Sequence, residues 1–122
     1  SPTPYSTLDY NGYRRNSEER FLKWTDADRS VGRYQSLEEF NRAAGLEKHG
    51  LEVDYDIFTR AGPPQEAKTY QPSDYDLGLT GDAECVDAGV RIPQVTDDFH
   101  GAAPDLGCYE LGLTPPHYGP RR

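Results

Sequence analysis

Three side chains in this sequence are candidates for proton transfer: His49, His100 and Glu110. A histidine can remove a proton from carbon when a cation or metal ion holds the developing negative charge, and a carboxylic acid can protonate a leaving group. His49 has Arg42 and Lys48 nearby in the sequence, whereas His100 follows a pair of aspartates. The alternative for both histidines is an ordinary loop side chain without a catalytic role.

Two adjacent carboxylates, Asp97 and Asp98, are candidate metal ligands. Together with Thr96 they offer several oxygen atoms in a loop that contains glycine, and Ca²⁺ prefers such hard ligands. The alternative is that both carboxylates are solvated. The sequence shows no metal-ligand spacing, nucleophile elbow or glycine-rich phosphate loop. It therefore contains no complete catalytic constellation, and Ca²⁺ is the only cofactor it suggests.

Aromatic side chains offer a third chemistry, the stacking of sugar rings. Their flat apolar faces suit the C–H faces of a sugar. The candidates for substrate binding are Trp24, Tyr34 and Tyr75, with Tyr10, Tyr13 and Tyr70 as further members of the set. In the alternative interpretation, the same rings fill a core that is poor in aliphatic residues.

The composition limits the class of protein. The 122 residues include 21 acidic and 13 basic side chains, which gives a net charge of −8. Without a basic cluster, this balance argues against nucleic acid and anionic membranes as partners. No apolar run approaches the roughly 20 residues of a membrane span. Because Leu, Ile, Val and Phe number only 21 beside nine tyrosines, we expect a loop-rich fold with a thin aliphatic core.

One helix and several short strands must position these residues. Ser36 can cap a helix at residues 36–45, with Glu39 as its reciprocal partner, and Gly45 can end it in the left-handed conformation. Leu37 and Phe40 give this helix a narrow apolar stripe, so it must lie on another surface. Short strands are predicted at residues 21–24, 51–53, 56–58 and 76–79, with a polar loop at 25–32.

Two runs late in the chain resemble a known signature. They are Cys85-Val86-Asp87-Ala88-Gly89 and Pro104-Asp105-Leu106-Gly107-Cys108-Tyr109-Glu110, with a loop at residues 95–101 between them. Their order and spacing are similar to the closing segment of secreted right-handed parallel β-helix proteins of the pectate-lyase-like superfamily. Residues 34–58 resemble the helix-then-strand insertion that precedes the final coil in those proteins.

This resemblance implies a mainly β fold. The chain would form the last coils of a right-handed parallel β-helix, with one short inserted α-helix and a proline-rich capping tail at residues 113–122. Residues 1–122 would then be the C-terminal part of a single β-helix domain, with its upstream coils on another chain or on a precursor. Because such a piece leaves one core face open, we expect it to pack against those coils.

By association, the resemblance also implies a function. The whole protein would be a secreted or extracellular enzyme, with the periplasm as an alternative location, that degrades a polysaccharide as a lyase or a glycoside hydrolase. Its catalytic residues would lie mostly on central coils, so this piece would act mainly as a structural cap. The alternatives are a non-catalytic glycan-binding or scaffold β-helix, and a small free-standing binding domain.

The chain departs from the resembled signature where Cys85 and Cys108 stand in place of alanine. Both occupy small, buried positions of the two runs, so the resemblance implies a disulfide between them in a secreted protein. Asp87 and Asp105 each lie two residues before a glycine, where a carboxylate accepts hydrogen bonds from backbone amides of its own turn. We interpret both aspartates as structural, and Glu110 belongs to the same signature.

Overall fold

The computed structural model of the chain describes residues 7–107 and 109–115. A first compact unit ends at Asp54, and a second begins at Tyr55. In the part of the chain that is described, no helix has the length and apolar character needed to cross a membrane. This finding agrees with the lack of a long apolar run in the sequence.

The first unit contains two small sheets and one helix. Its elements are β1 (Gly12–Tyr13), β2 (Leu22–Thr25), β3 (Val31–Tyr34), α1 (Leu37–Ala44) and β4 (Leu51–Glu52). β1 pairs in parallel with β4, and β2 pairs antiparallel with β3. The strand predicted at residues 21–24 is confirmed with a shift of one residue, whereas both ends of the predicted loop at 25–32 belong to strands.

A tight turn joins β2 to β3. The backbone N–H of Asp26 donates to the carbonyl of Ser30 at 2.9 Å, and Arg29 takes a φ of 70°. The carboxylate of Asp28 accepts the N–H of Ser30 at 2.8 Å. Short polar side chains that bind their own backbone favour such turns, which is why this acidic stretch reverses the chain.

The predicted helix is confirmed as α1. Oγ of Ser36 accepts the N–H of Glu39 at 3.1 Å, and Gly45 ends the helix with a φ of 68°. The Glu39 carboxylate accepts the N–H of Gln35 at 2.7 Å, so it binds one residue before the cap that the reciprocal pattern predicts. Phe40 is fully buried, as the apolar stripe requires.

The second unit contains one hairpin and a long irregular region. β5 (Phe58–Arg60) pairs antiparallel with β6 (Asp76–Leu79), with an irregularity in register between Phe58 and Arg60. Single turns of 3-10 helix lie at Tyr55–Ile57 and Pro72–Asp74. The strand predicted at 76–79 is confirmed, but most of the one predicted at 56–58 is a 3-10 turn. Residues 80–107 and 109–115 contain no helix or strand.

The apolar core of the described residues is small. Its buried side chains are Leu37 and Phe40 in the first unit, and Leu79 and Cys85 in the second. Several aliphatic side chains remain exposed instead, among them Ile92 and Val95. The thin aliphatic core expected from the composition is therefore present in both units.

The predicted parallel β-helix is wrong. In such a fold, the strands of each coil pair in parallel with those of the next, so each sheet grows with every coil. The described residues instead form three sheets of two strands, and two of these sheets are antiparallel. The strands are two to four residues long, and each antiparallel sheet joins two strands that are consecutive in the chain. Residues 116–122 of the predicted capping tail lie outside the described residues.

Candidate functional site

His49 is held by Asp9, which lies 40 residues earlier in the chain. Nδ1 of the imidazole is 2.8 Å from Oδ2 of Asp9, and the backbone N–H of His49 donates to Oδ1 of the same carboxylate at 2.7 Å. The ring of Tyr10 stacks on the imidazole with 4.6 Å between centroids. These three contacts fix His49, although 58% of its side chain is exposed.

The electrostatics of this pair set the roles of the two imidazole nitrogens. Partial desolvation raises the pKa of Asp9, but hydrogen bonds from His49 and from the backbone of Tyr10 outweigh it and lower that pKa below its usual value of 3.8. An ionised carboxylate can only accept hydrogen bonds, so Nδ1 of His49 carries the hydrogen. When this ring carries one proton, Nε2 is the proton acceptor that a general base needs.

A buried carboxylate lies close to this pair. Glu47 is only 2% exposed, and its Oε1 accepts hydrogen bonds from Nδ2 of Asn11 at 2.6 Å and from the hydroxyl of Tyr13 at 2.5 Å. In the described part of the chain, Oε2 of Glu47 is buried without a hydrogen-bond partner. Partial burial and the bond to Glu47 raise the pKa of Tyr13. The term histidine cluster is used below for Asp9, Tyr10, Asn11, Tyr13, Glu47 and His49.

The two cations near His49 in the sequence differ in their surroundings. Nη2 of Arg42 lies 2.5 Å from Oε1 of Glu38, one turn earlier on α1. Lys48 is exposed and directly precedes His49. Lys48 is therefore the better candidate for holding negative charge that develops beside the imidazole.

In the second unit, Glu110 links two loops through their backbones. Its Oε1 accepts the N–H of His100, and its Oε2 accepts the N–H of Asp105, both at 3.0 Å. The structure thus brings the predicted residues His100 and Glu110 together, but it is the backbone of His100 that makes the contact. This is the geometry of a structural link, in which both carboxylate oxygens hold the chain.

Asp97 also uses its carboxylate within its own loop. Its Oδ1 lies 2.9 Å from Nε of Arg91, and its Oδ2 accepts the N–H of Gln94 at 2.6 Å. Across the described residues, no group of three or more His, Cys, Asp and Glu side chains is arranged to hold a metal ion. The sequence-predicted calcium ligands Asp97 and Asp98 are therefore not part of an assembled ligand set there.

Asp87 and Asp105 both bind backbone amides, as the sequence suggests. Oδ1 of Asp87 accepts the N–H groups of Ala102 and Ala103, at 2.8 and 3.1 Å. Asp105 accepts the N–H of Asp87 at 2.9 Å and the N–H of Leu111 at 2.6 Å. The donors differ from the prediction, because they belong to other loops rather than to each residue's own turn.

A cleft of about 580 Å³ lies beside this network. Asp98 and Glu110 both line it, together with the apolar side chains of Phe99 and Leu113. Two candidate residues from different parts of the sequence therefore share one surface, although Glu110 is already bonded to two backbone amides.

Trp24 and Tyr34, two predicted sugar-stacking residues, both pack on Phe40. Their ring centroids lie 5.4 and 5.3 Å from that of the buried phenylalanine. The indole N–H of Trp24 also donates to Asp26 at 3.1 Å. These contacts favour a packing role in the core of the first unit over a sugar platform.

Tyr75, the third predicted residue, lines a shallow cleft of about 160 Å³. Its ring centroid lies 5.1 Å from that of Tyr70, and Nζ of Lys68 lies 4.7 Å from the Tyr70 centroid. Arg60 lines the same cleft and donates from Nη2 to the carbonyl of Ser73 at 2.9 Å. Partial desolvation and the neighbouring Tyr70 raise the pKa of Tyr75. The term tyrosine cleft is used below for Arg60, Lys68, Tyr70 and Tyr75.

Sequence reasoning missed five members of the two clusters: Asp9, Asn11, Glu47, Arg60 and Lys68. Asp9 precedes Tyr10-Asn11-Gly12, a turn-like stretch with no signal that links it to a histidine 40 residues away. Glu47 lies in a polar run that is typical of an exposed loop, and its burial follows only from tertiary contacts. The one available signal for Lys68 was a cation two residues before an aromatic side chain, Tyr70.

Cys85 is buried, and burial together with the charges of Glu84 and Asp105 raises the pKa of its thiol. Its proposed partner, Cys108, lies outside the described residues. The disulfide between them therefore stays a prediction.

Comparison of this chain with protein-family models, curated proteins and solved structures finds no match among them. The resemblance to pectate-lyase-like proteins thus rests only on the residues that carry it. The geometry of the side chains is the basis on which a function can be proposed.

Proposed function

We propose that this chain belongs to a polysaccharide-degrading protein and supplies His49 as a general base. The observation that carries the proposal is the 2.8 Å contact between Nδ1 of His49 and Oδ2 of Asp9. A carboxylate in this position fixes the tautomer and the orientation of an imidazole, so that Nε2 is presented as the proton acceptor. The exposure of the ring allows a large substrate to reach it.

The reaction that this base suits best is elimination. In a chain of carboxylated sugars, the base removes the proton from the carbon next to the carboxyl group, and the freed electron pair forms a C=C bond. The C–O bond to the neighbouring sugar breaks at the same time, and its oxygen takes a proton from water. The protonated base then returns its proton to the solvent. Lys48, which directly precedes His49 in the sequence and is exposed, is the candidate for the positive charge that stabilises the developing anion.

Hydrolysis fits the cluster less well. It uses two carboxylates on opposite sides of the scissile bond, one as acid and one as base or nucleophile. Asp9 already binds His49 through both oxygens, and Glu47 is buried. A secreted location belongs to the same proposal, because a polysaccharide outside the cell is too large to cross the membrane before it is cleaved.

The test is an activity assay on a panel of polysaccharides. Ultraviolet absorbance detects the C=C bond of an elimination product, and a reducing-end assay detects cleavage of either kind. We expect His49→Ala to lower the rate by at least about 100-fold, which is the low end for a lost general base. Lys23→Ala, at an exposed position of β2, is the control and should retain the activity. Full activity of His49→Ala would refute the proposal, and cleavage without new absorbance would refute elimination.

A second candidate function, non-catalytic glycan binding, is favoured by the tyrosine cleft. Tyr70 and Tyr75 present adjacent aromatic rings beside two cationic side chains in an open depression. Its volume of about 160 Å³ is below the roughly 300–1,000 Å³ of typical small-molecule sites, so it suits a single sugar ring at most. A sugar that stacks on Tyr75 would leave Lys68 free to stay on the Tyr70 ring.

Binding to this cleft can be tested without any enzymatic assay. Amide spectra of the protein, recorded with increasing oligosaccharide, should shift at residues around the tyrosine cleft. Tyr75→Ala should abolish those shifts, whereas Leu77→Ala, at an exposed position of β6, should preserve them. Equal shifts in both variants would show that the cleft is not the binding site.

A further inference from the structure

We propose that Glu47 is a positioning residue that holds Asp9 and His49 in the arrangement in which they bind each other. The proposal rests on the assignment of His49 as the base, but its central measurement is independent of catalysis. Glu47 would act through its neighbours, since the hydrogen bonds of its carboxylate go to Asn11 and Tyr13 and not to the imidazole.

The burial of Glu47 is the first argument. Its side chain is 2% exposed, and a carboxylate pays a large desolvation penalty in such a place unless hydrogen bonds compensate. Oε1 receives two short hydrogen bonds, from Asn11 and Tyr13, but Oε2 has no partner in the described part of the chain. A neutral apolar side chain would avoid this cost. The buried carboxylate therefore calls for a role that an apolar residue could not fill.

The route from Glu47 to Asp9 is the second argument. Nδ2 of Asn11 donates to Oε1 of Glu47 at 2.6 Å and to the backbone carbonyl of Asp9 at 3.1 Å. One amide group, which has two N–H donors, thus ties the Glu47 carboxylate to the residue that binds His49. The backbone of Glu47 adds a second tie, because its N–H donates to the carbonyl of Leu8 at 2.7 Å.

The backbone on the other side of the pair is fixed by the same residue. The carbonyl of Glu47 accepts the N–H of Gly50 at 3.2 Å, which closes the short turn that contains His49. A Cβ atom at Gly50 would lie 2.9 Å from Oε2 of Glu47, so the unpartnered oxygen packs directly against this glycine. Glu47 therefore contacts both segments that meet at the Asp9–His49 bond, and a shift of its carboxylate would move both.

The experiment follows the imidazole of His49 by nitrogen NMR, which distinguishes a single Nδ1–H tautomer from a mixture. In the unmodified protein we expect the Nδ1–H form. Glu47→Ala should give a mixture of tautomers and lower kcat on the order of tenfold with little change in KM, as expected for a misplaced catalytic group. Glu47→Gln retains an oxygen acceptor for Asn11 and Tyr13, so it should restore most of the Nδ1–H form.

Two further variants separate positioning from a general loss of stability. Phe40→Leu weakens the core of the same unit without touching the histidine cluster, and it should leave the tautomer unchanged. Asn11→Ala breaks the bridge while Glu47 keeps its bond to Tyr13, and it should shift the tautomer as Glu47→Ala does; this variant decides the matter if Glu47→Ala does not fold. An unchanged tautomer in Asn11→Ala, or an equal shift in Phe40→Leu, would overturn the proposal. Full activity of His49→Ala would instead refute the proposed function and leave the tautomer result standing.

Discussion

Both oxygens of the Asp9 carboxylate bind His49, one through its backbone N–H at 2.7 Å and the other through Nδ1 at 2.8 Å. A single side chain thus fixes the position of the residue and the orientation of its ring. The contact joins a segment that precedes β1 to the turn that precedes β4. It is the feature of this structure that most directly suggests chemistry.

Asp9→Asn should make the first unit less stable at neutral pH but not in acid. The pKa of Asp9 is lowered in the folded chain, so its contribution is complete above the usual value of 3.8 and is lost as the pH falls through the lowered folded value. The amide has only one acceptor oxygen and cannot replace both bonds to His49. Urea unfolding should give different free energies of unfolding for the two proteins at pH 7 and similar values in strong acid. A difference in unfolding free energy that is the same at all pH values would contradict the role of ionised Asp9 in binding His49.

Tyr13→Phe should reduce the loss of unfolding free energy that occurs as the pH rises into the alkaline range. Desolvation and the bond to Glu47 raise the pKa of Tyr13, so the contribution of this hydroxyl is complete below the usual pKa of 10.0 and is lost as the pH rises above it. At neutral pH the substitution should cost about 1–2 kcal/mol, because it removes one donor from a buried carboxylate. Unfolding followed by circular dichroism from neutral to alkaline pH measures both effects. If both proteins lose the same stability at alkaline pH, the Tyr13–Glu47 bond is not the source of that loss.

Ser36→Ala should cost about 1 kcal/mol through the loss of the helix cap. Oγ of Ser36 accepts the N–H of Glu39, and alanine leaves that donor without a side-chain partner. Ser73→Ala is the control, because the backbone carbonyl of Ser73, and not its side chain, accepts the bond from Arg60. Denaturant unfolding should distinguish the two variants, and a loss of stability in both alike would argue against capping.

Gly101→Ala should destabilise the second unit by more than about 1 kcal/mol. Gly101 has a φ of 119°, and a Cβ atom there would clash with the carboxylate of Asp87. That carboxylate is the acceptor for the amides of the two following residues, so the clash would break a link between loops. Gly81→Ala is the matched control, since no heavy atom outside its chain neighbours lies within 4 Å of a Cβ atom there. Equal thermal stability of the two variants would count against this account.

Thiol titration of the denatured, non-reduced protein should detect no reactive group. Cys85 and Cys108 are the only cysteines, and the resemblance of their two sequence runs implies that they pair. A disulfide between them would close the loop from Cys85 to Cys108, which on a chain-entropy estimate would stabilise the fold by roughly 3 kcal/mol. Two titratable thiols per chain would show that the pairing does not occur.

The helix shows how far the sequence can lead. Its cap at Ser36, its end at Gly45 and its buried Phe40 are all correct, because a helix is closed by hydrogen bonds between residues four apart. The strand at 76–79 was predicted from a polar–apolar alternation that is visible within four residues, and the one predicted at 21–24 is one residue early. The pairing of the strands was not found, because the partner of a strand depends on which distant segment reaches it.

The candidate sites divide in the same way. His49 and Tyr75 were identified by residue type, but type alone could not separate Tyr75 from Trp24, which packs on Phe40. The partners of these residues could not be predicted either, because residue type does not show which distant side chain a residue contacts. No local pattern marks Asp9 as the residue that binds His49, or marks Glu47 as buried.

The sequence by itself determined the thin core, the capped helix at 36–45, the strands at 21–24 and 76–79 to within one residue, and the residue types that could do chemistry. Only the tertiary structure decided that the sheets of the described residues have two strands each, that Asp9 binds His49, and that Glu47 is buried. The physical reason is the range of the interactions. Backbone hydrogen bonds within a helix, and alternation along a strand, are set by near neighbours. Burial of a carboxylate and a contact across 40 residues depend on how the whole chain packs, which no local pattern encodes.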